Sequence, residues 1–194
     1  MQKIELKGSK RDVIGKKAAK AIRAEDKVPA VLYGGKEVAH FAIDEKQVNK
    51  LIYTPNVYLV SLDLDGEKVD AVMQDVQFHP VSDKVLHADF LQISNDKPVV
   101  IEIPVTLEGF AEGVKQGGRL SLEQRKLKVK ALPANLPDTL NIKIDHLTLG
   151  TSVQVGELSF ENLELLNAKN SVVAAVKLTR AARAAQQAGG EEEA

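Results

Sequence analysis

Residues 57–78 read VYLVSLDLDGEKVDAVMQDVQF. Two runs in which apolar and polar residues alternate, Val57–Leu64 and Lys68–Phe78, are separated by Asp65-Gly66. Such alternation sends successive side chains to opposite faces, as a half-buried strand requires. Asp-Gly tolerates the positive φ angles of a two-residue reversal, so the segment predicts an antiparallel hairpin. Working outward, Gln2–Lys7, Pro29–Tyr33, Val38–Ile43 and Val85–Ile93 read as further short strands, and Gly8–Asp12 as a polar turn. The last of these strands places Leu86, Ala88 and Phe90 on one face and His87 and Asp89 on the other. Two short helices interrupt the series. Lys16–Ala24 carries Lys16, Lys20 and Arg23 within ~60° of one another and Ala18, Ala21 and Ile22 opposite. Asp44-Glu45-Lys46-Gln47 has the spacing of a capping box and opens a second helix bearing Val48, Leu51 and Ile52. Short strands in this density suggest a small barrel, which leaves no exposed strand edge.

Ser94–Pro98 is a polar break, and the character of the chain changes beyond it. Val99–Glu108, Lys126–Leu132, Leu140–Ile144 and Val172–Leu178 read as strands. Gly109–Arg119, with four glycines, reads as a mobile loop. The alternation of Lys126, Lys128 and Lys130 with Leu127, Val129 and Ala131 reads as a solvated outer face. The chain is therefore expected to be mainly β, with a first domain over 1–93 and a second β-rich domain over 94–178. Residues 179–194, Ala-rich and then acidic, are expected to form a flexible tail.

The 194 residues carry 26 basic and 27 acidic groups, a formal charge of −1. That balance hides an asymmetry. Residues 1–36 sum to +6, residues 37–93 to −6 and residues 94–194 to −1. A near-neutral chain can thus present one strongly positive surface, which attracts phosphate and releases counterions on binding. There is no cysteine, which excludes disulfides, thiol catalysis and Cys-based zinc sites. No apolar run approaches the ~20 residues of a membrane span, and MQKIELKGSKRD has no signal-peptide core, so a cytoplasmic protein with no membrane partner is expected. Aromatics make up 4% and tryptophan is absent, which argues against a stacking platform for single strands.

The strongest enzymatic reading takes His79, Asp83, His87 and Asp89 as acid–base or metal-binding groups. Their spacing matches no metal motif, and no phosphate-binding loop or nucleophile elbow occurs. Gly34-Gly35 and Gly117-Gly118 read as turns, and His79-Pro80 as a device shaping the turn after its strand. No cofactor, metal or small-molecule substrate is expected, and catalysis is not.

The stretches 15–23 (GKKAAKAIR), 27–35 (KVPAVLYGG), 74–80 (QDVQFHP) and 84–90 (KVLHADF) closely resemble one bacterial family, large-subunit ribosomal protein twenty-five, which binds 5S ribosomal RNA. The length, together with Leu132-Pro133…Leu136-Pro137-Asp138 and Ile144-Asp145-His146-Leu147…Gly150, resembles its long two-domain form, the general stress protein Ctc type. The resemblance implies a six-stranded β-barrel with short helices, docked on a helical element of 5S rRNA with non-Watson–Crick pairs. By motif position it implies RNA contacts from Arg11, Lys16, Lys20, Arg23, Tyr33, Gln74, His87 and Asp89. It implies a structural role in the central protuberance of the large subunit. The second domain would meet 23S rRNA or neighbouring ribosomal proteins. Phe78 stands where compact members often carry a basic side chain, Ala19 where a small hydroxyl residue is common, and Lys20 in place of an arginine. The alternative is a stress-associated RNA-binding protein acting off the ribosome; a hydrolase using His87 and Asp89 is a third class.

Overall fold

The computed structural model describes residues 2–35, 37–54, 56–94, 96–180 and 182–183. It divides into two compact units, one of residues 1–101 with 132–138 and the other of residues 102–131 with 139–194.

The first unit is a closed six-stranded barrel. Its strands are β1 (Gln2–Lys10), β2 (Lys27–Tyr33), β3 (Ala39–Asp44), β4 (Tyr58–Leu64), β5 (Glu67–Phe78) and β6 (Val85–Gln92), in the spatial order β1-β3-β2-β6-β5-β4. Parallel pairing of β1 with β4 closes the ring. The expected hairpin is β4–β5, with Leu64 opposite Glu67. Asp65 and Gly66 both have positive φ (54° and 97°), the pattern of a type I′ turn. The Gly66 N–H donates to Asp63 Oδ1 at 2.9 Å and fixes the reversal.

Alternation of side chains fills the barrel interior. Leu6, Val28, Ala30, Leu32, Phe41, Ile43, Val60, Leu62, Ala71, Ala88 and Phe90 are all buried there. Phe41 and Phe90 meet with ring centroids 5.9 Å apart and tilted by 43°, a favourable aromatic geometry. Helix α2 (Glu45–Ile52) adds Val48 and Leu51 to this core.

The barrel corrects three sequence expectations. The polar turn over Gly8–Asp12 is partly strand, because β1 changes partner. Residues 2–8 run parallel to β4, and Gly8–Lys10 then pair antiparallel with Ile43–Phe41 of β3. Gly8 sits at that change, where a Cβ would lie 2.8 Å from Phe41 Cδ2, so only glycine permits the approach. The capping box at Asp44 does not form. Asp44 occupies the N-cap in extended geometry without a side-chain bond, and Gln47 Oε1 instead accepts from the Lys7 N–H of β1 at 3.2 Å. Tertiary pairing took the side chain that a local cap would have used. In β6, Val85 is fully buried and Leu86 only half-buried, because the register against β5 shifts between Gln77 and Phe78.

The second unit holds most of β7 (Val99–Glu108), with β8 (Arg119–Leu122), β9 (Lys126–Ala131), β10 (Leu140–Lys143), β11 (Ser152–Gln154), β12 (Glu164–Leu165) and β13 (Val172–Lys177). They form one sheet in the order β10-β7-β9-β12 and another in the order β11-β13-β8. Leu127, Val129 and Ala131 of β9 are buried, while Lys128 and Lys130 pair with Glu102 (3.7 Å) and Glu164 (3.0 Å). These two lysines of the row are thus charge-balanced.

The glycine-rich segment 109–119 is more structured than its composition suggested. It contains a short helix, α3 (Glu112–Lys115), tied down at both sides. The Gly113 N–H donates to Leu147 O, the Gly118 N–H to Gly113 O, and the Phe110 N–H to Asp145 Oδ1. Leu147 and Asp145 are distant in sequence, so composition alone could not reveal them. Of the predicted tail, only residues up to 183 fall partly within the description; 184–194 lie outside the described residues.

Candidate nucleic-acid interface

The candidate site is built on the outer faces of β3, β2, β6 and β5 and on helix α1 (Lys16–Ala24), which packs against β2. The registers place the outward residues. Val31 faces His40 on one side and Asp89 on the other; Asp89 faces Asp75, and His87 faces Gln77. Tyr33, two residues beyond Val31, shares that face. Arg11 joins the row from the end of β1, its N–H donating to His40 O at 2.9 Å.

Helix α1 lies on the barrel through Ala18, Ala19 and Ile22, which are half-buried, and Ala21 is exposed. Ala19 therefore replaces Ala21 on the packed face, because Ile22 is the side chain anchored against the strands. Lys16, Lys17, Lys20 and Arg23 are exposed. Arg23 Nε donates to Leu86 O of β6 at 3.0 Å, so this guanidinium also holds the helix to the barrel.

The electrostatics of α1 are unusual for an isolated helix. Its first turn contains no acid and no side-chain cap, yet it carries Lys16 and Lys17 at the positive end of the helix dipole. Three of the nearby acids are engaged elsewhere, which leaves Asp12 as the acid closest in sequence to the helix start. Glu25 pairs with Lys27 at 3.3 Å, Asp26 with Lys84 at 4.0 Å, and Glu5 with Lys68 at 3.1 Å. Among the described residues, Arg11, Lys16, Lys17, Lys20 and Arg23 form no ion pair. The helix thus presents cations that an anionic ligand would neutralise. Local rules broken in this way are expected at functional surfaces.

The strand part of the site is short-reach and polar. His87 Nδ1 lies 2.6 Å from Asp89 Oδ1, a close polar contact that leaves Nε2 for a ligand. Asp89 Oδ1 is buried and, despite that contact, has no hydrogen-bond partner among the described residues. Arg11 Nε and His40 Nδ1 are likewise buried without a hydrogen-bond partner among them. All three atoms belong to this face, and a buried polar atom without a partner is rare enough to call for one, whether water or a bound ligand. His40 escaped the sequence reading. The available signal was its place opposite Val31, which only the β2–β3 register reveals.

Tyr33 is partly buried beside the carboxylates. Burial, then Asp89 and Asp75, push its phenol above the ordinary 10.0. The folded state therefore favours the neutral phenol, a hydrogen-bond donor. Its contribution to stability is complete below that ordinary value and is lost as pH rises from there through the raised one. Asp89→Asn is expected to move the Tyr33 titration down toward 10.0, read by NMR of the ring. An unchanged titration would show that Asp89 has no part in setting it.

Gln74 is placed differently from the rest. It is the extra residue of a β-bulge, since Met73 faces Phe90 and Asp75 faces Asp89. Its Nε2 donates to Val100 O at 2.9 Å, so the amide is engaged within the first unit and keeps Oε1 free of that bond. His79 is used structurally, its Nδ1 accepting from the Val81 and Ser82 N–H groups. No cluster of three or more metal-ligating side chains occurs among the described residues.

Residues 6–90 match the model of the ribosomal L25p family, and residues 98–180 match that of the C-terminal domain of ribosomal protein TL5. A large ribosomal subunit protein bL25 of Parabacteroides distasonis is 54% identical over 194 residues, covering 97% of this chain and 100% of the relative. The bL25 of Bacteroides fragilis is 55% identical over 195 residues, covering 98% and 100%. That of Porphyromonas gingivalis (strain ATCC 33277) is 56% identical over 187 residues, covering 95% and 97%. The chain belongs to the ribosomal L25p family. Within this L25p chain the first family match spans nearly all of the barrel, and the cationic helix and the orphan polar atoms lie inside it. The second match makes it a two-domain member, as its length and its Leu-Pro motifs suggested.

Proposed function

We propose that this chain is a structural component of the large ribosomal subunit in the bacterial cytoplasm, where its barrel binds 5S rRNA in the central protuberance. Family membership supports the ribosomal role. The observation that carries the RNA-binding reading is the meeting of two features on one side of the barrel: the cations of α1 and the polar row on β3, β2, β6 and β5.

The two features suit different parts of a folded RNA. Lys16, Lys20 and Arg23 suit phosphates, with Lys17 beside them; such contacts fix orientation and give salt-dependent affinity. Arg11, Tyr33, His87 and Asp89 suit base edges and 2′-hydroxyls. A carboxylate repels phosphate but accepts from a guanine amino group or a ribose hydroxyl, so Asp89 reads donors on the RNA. Gln74 contributes through Oε1, or through its amide after exchanging the Val100 bond. We assign the domains as 1–93 for the barrel, 94–178 for the second β-rich domain and 179–194 for the tail, in line with the gap between the two family matches. The second domain would contact 23S rRNA or adjacent ribosomal proteins.

The test is a gel-shift series with the full chain on isolated 5S rRNA and on transfer RNA as a competitor. The chain is expected to retain 5S rRNA against excess transfer RNA and to co-sediment with large subunits. Equal affinity for the two RNAs would overturn the 5S assignment, and a wholly free cellular pool would favour action off the ribosome.

A further inference from the structure

Three exposed aliphatic residues lie on two connections that leave the same end of the barrel. Val13 is 70% exposed, Ile14 62% and Val38 59%. Arg11 is bonded to His40 where β1 runs antiparallel to β3, so the chain leaving Arg11 and the chain entering His40 emerge together. Val13 and Ile14 follow on one, Val38 precedes on the other. Tyr33, at the end of β2, marks the same end, because Leu32 faces Ala39. Single exposed aliphatics are ordinary on a protein surface, but a group of them marks a contact. Nothing in the folding of the first unit explains this group. None of the three belongs to its core, and consecutive valine and isoleucine in a five-residue connection to α1 run against the polar default for loops.

The surroundings identify the occupant. Arg11, Lys16 and Lys17 lie within three residues of the Val13–Ile14 pair in sequence, and none of them is in an ion pair among the described residues. Only Asp12 and Glu37 oppose them locally. An apolar tip inside a cationic rim complements a surface that is anionic at its edge and apolar between. A nucleic acid has this form, with phosphates flanking riboses and base faces. An acidic protein groove would need aligned carboxylates to match a rim of this kind.

We propose that Val13, Ile14 and Val38 form an apolar wedge that packs on ribose and base surfaces of the bound RNA, beside the phosphates held by α1. The wedge rests on the RNA-binding reading given above. It supplies salt-independent affinity, because burying aliphatic surface releases no counterions.

The experiment compares the full-length protein with the V13S/I14S/V38S variant on 5S rRNA across a salt series. All three side chains are exposed, so the thermal melt is expected to stay at the parental value. The Kd is expected to rise about tenfold at every salt concentration, with the log–log salt slope unchanged. A V13L/I14L variant, which keeps the apolar surface, is expected to bind as the parent does. Parental affinity in the serine variant would overturn the wedge while leaving the RNA-binding reading in place. A shallower slope would overturn it too, since the loss would then be electrostatic. Parental RNA affinity combined with poor incorporation into large subunits would assign the patch to a protein neighbour instead. If the parental protein itself fails to select 5S rRNA, the functional reading falls, and the RNA occupant of the wedge falls with it.

Discussion

Replacing Lys16, Lys20 and Arg23 together by alanine is expected to weaken 5S rRNA binding roughly 100-fold, at about 1 kcal/mol for each of the three phosphate interactions removed. The same variant is expected to flatten the salt dependence, lowering the log–log slope by ~2–3 units if all three groups displace counterions. The two lysines are exposed and form no ion pair among the described residues, so their removal leaves the fold intact. Arg23 differs, because its Nε is bonded to the Leu86 carbonyl. A separate K16A/K20A variant resolves the two roles. It should lose ~1–2 units of slope, and any further loss in the triple variant measures what Arg23 adds. An unchanged slope in both would remove this helix from the interface.

Phe90→Ala is expected to cost about 3–5 kcal/mol, the range for truncating a fully buried phenylalanine. Phe90 lies on β6 between β2 and β5, and its ring meets Phe41 across the interior. The variant leaves a cavity that rigid strands on both sides close only in part. The same β6 carries His87 and Asp89 on its outer face, so a loosened core also loosens the polar row. Denaturant unfolding should show a large fall in the midpoint of the first unit, accompanied by weaker RNA binding. A change below about 1 kcal/mol would mean that the barrel core does not depend on this aromatic pair.

Much of the barrel was legible because its signals are local. The hairpin at Asp65-Gly66 is written in two alternating runs and a turn that needs positive φ, and it appears as read. Helix α1 was legible from its spacing, and the strand expected from Pro29 begins two residues earlier, at Lys27. What was not legible depends on pairing at a distance. Gln47 looked like a cap residue and serves the Lys7 amide instead. Strand β1 looked finished at Lys7 and continues by changing partner. The short strands β8, β11 and β12, of two to four residues, carry too few positions for alternation to show, and exist through their neighbours.

The candidate site divides along the same line. The cations of α1 could be read from the sequence, since charge and helical spacing are properties of one segment. That they form no ion pair among the described residues could not, because it depends on Glu25, Asp26 and Glu5 being paired with Lys27, Lys84 and Lys68. The His87–Asp89 pair followed from their shared strand face and is present at 2.6 Å. His40, Asp75 and Gln77 join that face only through strand register. Gln74 shows the limit of alternation: a bulge takes it out of the ladder and gives its amide to a backbone carbonyl.

Whether α1 and the polar row together grip folded RNA is decided by a high-resolution structure of the full chain bound to 5S rRNA, alone or within the large subunit. The Lys16 and Lys20 ammonium groups are expected within about 4 Å of RNA phosphate oxygens, and His87 Nε2 and the Asp89 carboxylate bonded to base edges or 2′-hydroxyls. A complex in which α1 faces open solvent and the RNA lies against another surface of the barrel would show that the interface has been misplaced.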